Sequence, residues 1–175
     1  MATGPLVLGV TDLRRQPGLR RRVERADMLR DLGISTAVVP EGAEVSVDLE
    51  LEAVSNGIVA TGTVRAPWVG ECRRCLRTVE GMSEARVQEI FETDPTEGET
   101  YPLGNEVVDL EPMVRDAVLL ALPLAPLCGD DCRGPAPETF PTGPVGSGEG
   151  EDETPVDPRW AALADLDFDP DDVEG

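Results

Sequence analysis

The stretch Glu44-Val45-Ser46-Val47-Asp48-Leu49-Glu50-Leu51-Glu52-Ala53-Val54-Ser55-Asn56-Gly57-Ile58 decides the fold. Val45, Val47, Leu49, Leu51 and Ala53 alternate with Glu44, Ser46, Asp48, Glu50 and Glu52. A period of two puts the apolar set on one face of a β-strand and the acids on the other. Asn56-Gly57 then predicts a tight hairpin, because both central positions of a type I′ turn need φ > 0. Such a turn pairs Ser55 with Ile58 and sets Leu51 against Gly62, Leu49 against Val64 and Val47 against Ala66. The apolar face of one strand continues on the other, so turn and pattern agree. The return strand is expected from Ile58 to Ala66, with Pro67 stopping it or forcing an edge.

Working downstream, Ala85 to Phe91 predicts another strand, and Asp94 to Gly104 a polar loop. Glu106 to Leu110 is a short strand or a lead-in to a helix. Asp109 is placed to cap that helix, and Glu111-Pro112 suits its first turn, where proline's missing N–H costs nothing. The helix is expected over Glu111 to Leu122, apolar around most of its circumference, with Arg115 and Asp116 exposed. It must bury itself against something, and the open face of the sheet is the available surface. Upstream, Leu6 to Val10 reads as a short strand. The expected fold class is therefore α+β: mainly antiparallel sheet, free to curl toward a barrel, packed by one apolar helix. One β-rich domain spans 1–134. A disordered Pro/Gly/acidic linker follows over 135–156, and a short helix (Asp157 to Leu166) with an acidic tail over 157–175.

Charge divides the chain. All 15 basic residues are arginine, and the net charge is −20 over 175 residues. Residues 1–30 hold seven arginines against three acids, a net +4; the remainder holds eight arginines against 32 acids, a net −24. So acidic a body argues against general nucleic-acid binding. The run that includes Arg14, Arg15, Arg20, Arg21 and Arg22 has no apolar stripe of its own. It reads as an N-terminal Arg-rich arm, either solvated and folded back on the acidic body or contacting phosphate through its planar donor forks. With no 18-residue apolar run and no signal-peptide core, a cytoplasmic location without membrane association is expected.

Chemistry is concentrated in four cysteines. Cys72 and Cys75 have C-x-x-C spacing, and Cys128 and Cys132 have C-x-x-x-C spacing. The absence of histidine excludes a Ser-His-Asp triad, a Cys-His pair and every His-containing metal site. Four thiolates satisfy one zinc ion, and each pair can present two sulfurs from one turn. Arg73 and Arg74 would offset the charge of a tetrathiolate site or face a partner. A redox dithiol, disulfides, or four packed thiols without a ligand stay open as alternatives. No phosphate-binding loop, dinucleotide fingerprint or hydrolase elbow is present, so neither an enzyme nor a small-molecule substrate is expected.

The ordered features together resemble the YceD-type large ribosomal RNA subunit accumulation proteins. The residues that carry the likeness are Cys72, Arg74 and Cys75; Val107, Asp109 and Leu110; Leu120 to Pro123; Pro126 to Cys128 with Cys132; and Asp157 to Trp160 with Leu163. The resemblance implies a non-enzymatic role in accumulation or processing of the large-subunit (23S) ribosomal RNA precursor and in ribosome biogenesis. Many relatives carry two further cysteines where this chain has Ala136 and Thr139. A metal site here therefore depends on Cys72, Cys75, Cys128 and Cys132 alone. The expected partners are the large-subunit rRNA precursor or a basic large-subunit ribosomal protein. The alternative is a zinc-stabilised protein–protein adaptor unrelated to rRNA.

Overall fold

The computed structural model describes residues 4–136, 138 and 139. The expected linker beyond 139 and the Asp157–Leu166 helix lie outside the described residues. Elements run in the order β1 (Val7–Gly9), α1 (Thr11–Arg15), β2 (Arg20–Asp27), β3 (Ala37–Val38), β4 (Val45–Ala53), β5 (Gly57–Glu71), β6 (Thr78–Glu92), β7 (Tyr101–Pro102), β8 (Val107–Asp109) and α2 (Glu111–Ala121). The main sheet has the order β2-β4-β5-β6-β7, with β3 pairing β5 beyond the end of β4. All these pairings are antiparallel except the two-residue β6–β7 contact. The α+β class holds, but the sheet stays open: β2 and β7 are its edges, and the barrel-like closure is not formed.

β4 follows the alternation read from its residues. Val45, Val47, Leu49, Leu51 and Ala53 are buried, and the acids between them point outward. A second layer covers this apolar face. It consists of the β1–β8 ribbon, α1 and α2, which contribute Leu6, Leu8, Val10, Leu13, Val108, Leu110, Met113, Val114 and Val118 to one core. The carboxylate of Asp109 accepts the Glu111 N–H at 3.0 Å, which satisfies one of the orphan donors at the start of α2. Among the described residues, no buried side-chain nitrogen or oxygen lacks a partner.

The hairpin forms with a different register. Ala53 pairs with Ile58, Leu51 with Ala60, Leu49 with Gly62 and Val47 with Val64. Ser55 and Asn56 form the turn, neither with positive φ, and the Val54 N–H donates to the Gly57 carbonyl. Gly57 has a different task from the one expected: a Cβ there would lie 2.1 Å from the Phe91 carbonyl oxygen of β6. Close backbone approach, and not turn geometry, requires this glycine.

β5 also runs through Pro67 to Glu71. Pro67 faces Met82 of β6 on one side. On the other side β4's pairing ends at Arg65 and β3's begins at Val69, so no ladder hydrogen bond is forfeited there. β6 is correspondingly longer than expected, extending from Thr78 to Glu92.

The arginine-rich segment is not an arm. Arg14 and Arg15 end α1, and Arg20, Arg21 and Arg22 lie in β2, an edge strand paired with β4 over its whole length. Its arginines answer β4's acids across the outer face: Arg20 contacts Glu50 and Glu52, and Arg22 contacts Asp48 at 2.8 Å. Helix α2 departs from expectation at its C-terminal end, where Leu120 is 88% exposed.

Gly62 tests the packing of β5 on β4. A Cβ at this position would meet the Asp48 carbonyl oxygen at 2.1 Å, whereas one at Gly9 meets nothing within 4 Å. Gly62→Ala is expected to lower unfolding stability by about 2–4 kcal/mol, because the clash is with backbone that cannot move aside. Gly9→Ala is expected to change it little. Urea unfolding midpoints at constant m-value compare the two.

Candidate metal centre

The β5–β6 pairing carries the first cysteine pair to the tip of a long ribbon. Pairing continues to Glu71↔Thr78, so residues 72–77 form the closing loop. Within it the Cys72 N–H donates to the Arg77 carbonyl and the Leu76 N–H to the Cys72 carbonyl, each at 2.8 Å. Leu76 adopts φ 60° to close this turn. The second pair lies beyond α2. It is brought alongside by the Arg73 N–H, which donates to the Pro126 carbonyl at 2.9 Å, and by the Thr36 hydroxyl, which donates to the Pro123 carbonyl.

The four sulfurs converge. The Sγ atoms of Cys72, Cys75, Cys128 and Cys132 all lie within 4.8 Å of one another. Cys72 and Cys132 are 3.8 Å apart, and Cys75 and Cys128 are 3.7 Å apart. All four are free thiols, with Cys72 and Cys75 buried. Such a group can hold a metal ion.

Electrostatics around the sulfurs are uneven. Backbone N–H groups, chiefly that of Cys75 and then those of Cys128 and Arg74, draw the Cys72 thiol well below its ordinary range despite its burial. The Arg77 guanidinium, with its backbone N–H, lowers Cys75. The Cys128 thiol is pushed up, first by its hydrogen bond to Cys132 and then by that to Cys75. Several thiolates cannot crowd together unless positive charge offsets them, and a central cation would remove the conflict.

The arginines of the centre divide differently from expectation. Arg74 donates to the carbonyls of Asp130 and Cys132 at 2.9 and 3.1 Å, so it clamps the second cysteine loop. Arg77, which the spacing of the cysteines did not single out, donates through Nε to Cys75 Sγ at 3.4 Å and through Nη2 to Cys128 Sγ at 3.7 Å. The signal available was its place two residues after Cys75, at the end of the same closing loop.

Among the N-terminal arginines, Arg14 reaches the carbonyls of Gly104 and Asn105. Arg21 reaches Asp12 and the Gly9 carbonyl. Arg20 and Arg22 are spent on β4. Arg15 and Arg73 are exposed, with no side-chain partner among the described residues. The structure therefore gathers the four cysteines with Arg74 and Arg77, and leaves Arg20 and Arg22 in a separate ion-paired face.

The family of large ribosomal RNA subunit accumulation proteins, YceD, matches residues 60–167. The match takes in most of β5, all of β6 and α2, and both cysteine pairs. An uncharacterized protein of Mycobacterium tuberculosis is 37% identical over 172 residues, covering 93% of this chain and 81% of its own length. One from Mycobacterium leprae is 34% identical over 170 residues, covering 93% and 77%. The uncharacterized protein YlbN of Bacillus subtilis is 28% identical over 134 residues, covering 74% and 75%. No solved structure matches the chain. Among the described residues, no helix is long and apolar enough to cross a membrane.

Leu76 offers a test of the loop that presents Cys72 and Cys75. Left-handed backbone costs a non-glycine residue about 1–2 kcal/mol, and glycine returns part of that gain as unfolded-state entropy. The Leu76 side chain is 67% exposed, so little burial is lost on its removal. Leu76→Gly is expected to raise stability by up to about 1 kcal/mol, measured by chemical denaturation.

Proposed function

The chain belongs to the family of large ribosomal RNA subunit accumulation proteins, YceD, and we propose that it serves as a non-catalytic cytoplasmic factor in the accumulation of large-subunit (23S) ribosomal RNA. The family match, which spans the β5–β6 ribbon and both cysteine pairs, carries this reading.

The cysteine cluster fits a structural zinc ion. A bond length of about 2.3 Å to each thiolate gives a tetrahedron with edges of about 3.8 Å. Two of the sulfur separations, 3.7 and 3.8 Å, match such an edge. Cys72, Cys75, Cys128 and Cys132 fill all four positions, and a closed site has no place for water or substrate. Zinc there would tie the ribbon tip to the chain after α2, with Arg77 offsetting its thiolate charge.

We take the partner to be the large-subunit rRNA precursor or a basic large-subunit ribosomal protein. Arg15 and Arg73 have unspent donors for phosphate. Arg14, Arg20, Arg21, Arg22 and Arg74 are candidate contacts that must first exchange intramolecular acceptors. The ion pairs of Arg20 and Arg22 are exposed, and such pairs are worth only about 0–1 kcal/mol each. The net −24 of residues 31–175 favours a basic protein over bare RNA. The second reading, a zinc-stabilised adaptor unrelated to rRNA, is favoured by one observation: Val38, Leu76 and Leu124 are exposed around a 750 Å³ cavity beside the cysteine loop.

Protein purified without chelator is expected to hold about one zinc per chain, lost in Cys128→Ser. In that variant, amide exchange should accelerate over 72–77 and 126–132 while β4 stays protected. Metal-free wild-type protein with the same exchange pattern as the purified form would remove the zinc reading. Depletion of the protein is expected to reduce 23S rRNA and large subunits on sucrose gradients. Unchanged profiles would favour the adaptor. Binding to a basic large-subunit protein should weaken as salt rises.

A further inference from the structure

We propose that the outer edge of β6, with the groove between β6 and α2, is a docking site for an extended basic polypeptide segment that joins the sheet as its next strand. The inference rests on the reading that the acidic body works on a basic protein, and it names the surface.

β6 pairs with β5 along its entire length on one side. On the other, β7 pairs only with Phe91 and Glu92. From Val79 to Glu89 no backbone group has a backbone partner on that outer side among the described residues. Natural sheets protect such edges with lysine, proline, bulges or a covering element. This stretch contains no lysine and no proline; its charged residues are Glu80, Glu84 and Glu89 with the single cation Arg86. Its pairing with β5 runs without interruption, so it has no bulge. Among the described residues α2 stands beside this edge without pairing with its backbone, and an unpaired edge of this length is a template for main-chain pairing with another segment.

Beside the edge lies a groove. One part, of 310 Å³, is walled by Ala85, Arg86, Val87, Met113, Ala117 and Leu120. The adjoining part, of 580 Å³, shares Glu89, Tyr101, Asp116 and Leu120 with it and adds Glu99. Leu120 is the most exposed large apolar side chain among the described residues. Apolar side chains of an added strand have a floor to pack on here.

Charge identifies the occupant. Glu89, Glu99 and Asp116 line the wider part against the single Arg86 of the narrower one, and none of the three forms an ion pair among the described residues. The Tyr101 hydroxyl donates to Asp116 Oδ2 at 2.8 Å, which leaves the other carboxylate oxygen available. A second copy of this chain would bring the same carboxylates and a charge of −20 against them. An RNA strand would bring phosphates to the same wall. A segment alternating apolar and Lys or Arg residues satisfies the edge, the floor and the carboxylates together.

The test uses the full chain, isotopically labelled, titrated with a peptide of about ten residues alternating Val and Lys. A second peptide of identical charge carries N-methyl groups at every other residue and cannot complete a ladder. Oligouridylate is the third probe. Amide shifts are expected from Val79 to Glu89 and at Leu120. Affinity should fall about tenfold for the N-methylated peptide, and about tenfold in Leu120→Asp and in the combined Glu89→Gln, Glu99→Gln, Asp116→Asn variant. Leu120 is too exposed for its replacement to unfold α2. Equal binding of both peptides, or shifts confined to other surfaces, would overturn the site while leaving the basic-partner reading intact. Binding of oligouridylate alone would overturn both, and binding of no probe would overturn the docking site.

Discussion

The uninterrupted pairing of β5 with β6, from Gly57↔Glu92 to Glu71↔Thr78, is the constraint on which the rest of this protein depends. Its lower part belongs to the sheet and buries Ile58, Ala60, Val64 and Phe91 in the core. Its upper part runs past the end of β4, pairs there with β3, and bears Cys72 and Cys75 at its tip. Glycines permit this. Gly57 admits the Phe91 carbonyl, and Gly81 lies under the Trp68 ring, where a Cβ would come within 2.7 Å. Any shift of register along the ribbon would move the sulfurs and the outer edge of β6 together.

The residues made some of this legible and hid the rest for physical reasons. β4 was readable because one of its faces is dry and the other wet, and nothing else along it competes with that signal. The hairpin register was not, because a slip of two residues leaves every side chain on its own face. Alternation alone cannot separate Leu51 against Gly62 from Leu51 against Ala60. Asn56-Gly57 then pointed to the wrong alternative, since Gly57 serves the neighbouring strand. β2 was hidden because Val23 is its one buried apolar residue. Its place in the sheet rests on backbone pairing and on arginines matched to β4's acids. That match could have been sought across the sequence, but no local pattern carries it.

The candidate metal centre was more legible than its surroundings. The spacing of the two cysteine pairs pointed to the four thiols that the structure brings close together, because each short loop can turn two sulfurs to one side. The supporting contacts depend on tertiary return. Arg74 and Arg77 look alike in sequence, yet one holds backbone carbonyls and the other faces sulfur. The positive N-terminal segment and the acidic body meet across β2 and β4, where Arg20 and Arg22 pair with Glu50, Glu52 and Asp48. Among the acids left without a cation are Glu89, Glu99 and Asp116, beside β6 and α2.

The positions of the two cysteine pairs along the chain have a consequence for the order of events in folding. Cys75 and Cys128 are separated by 53 positions, and β6, β7, β8 and α2 all lie between them. An ion bound to all four thiols closes that span into a ring. The entropy of closure is smallest once the intervening elements are already in place. Two sulfurs on an unfinished chain offer only half a coordination shell. Tight metal capture would therefore occur last, as a timer that marks the nascent chain complete through its second cysteine pair.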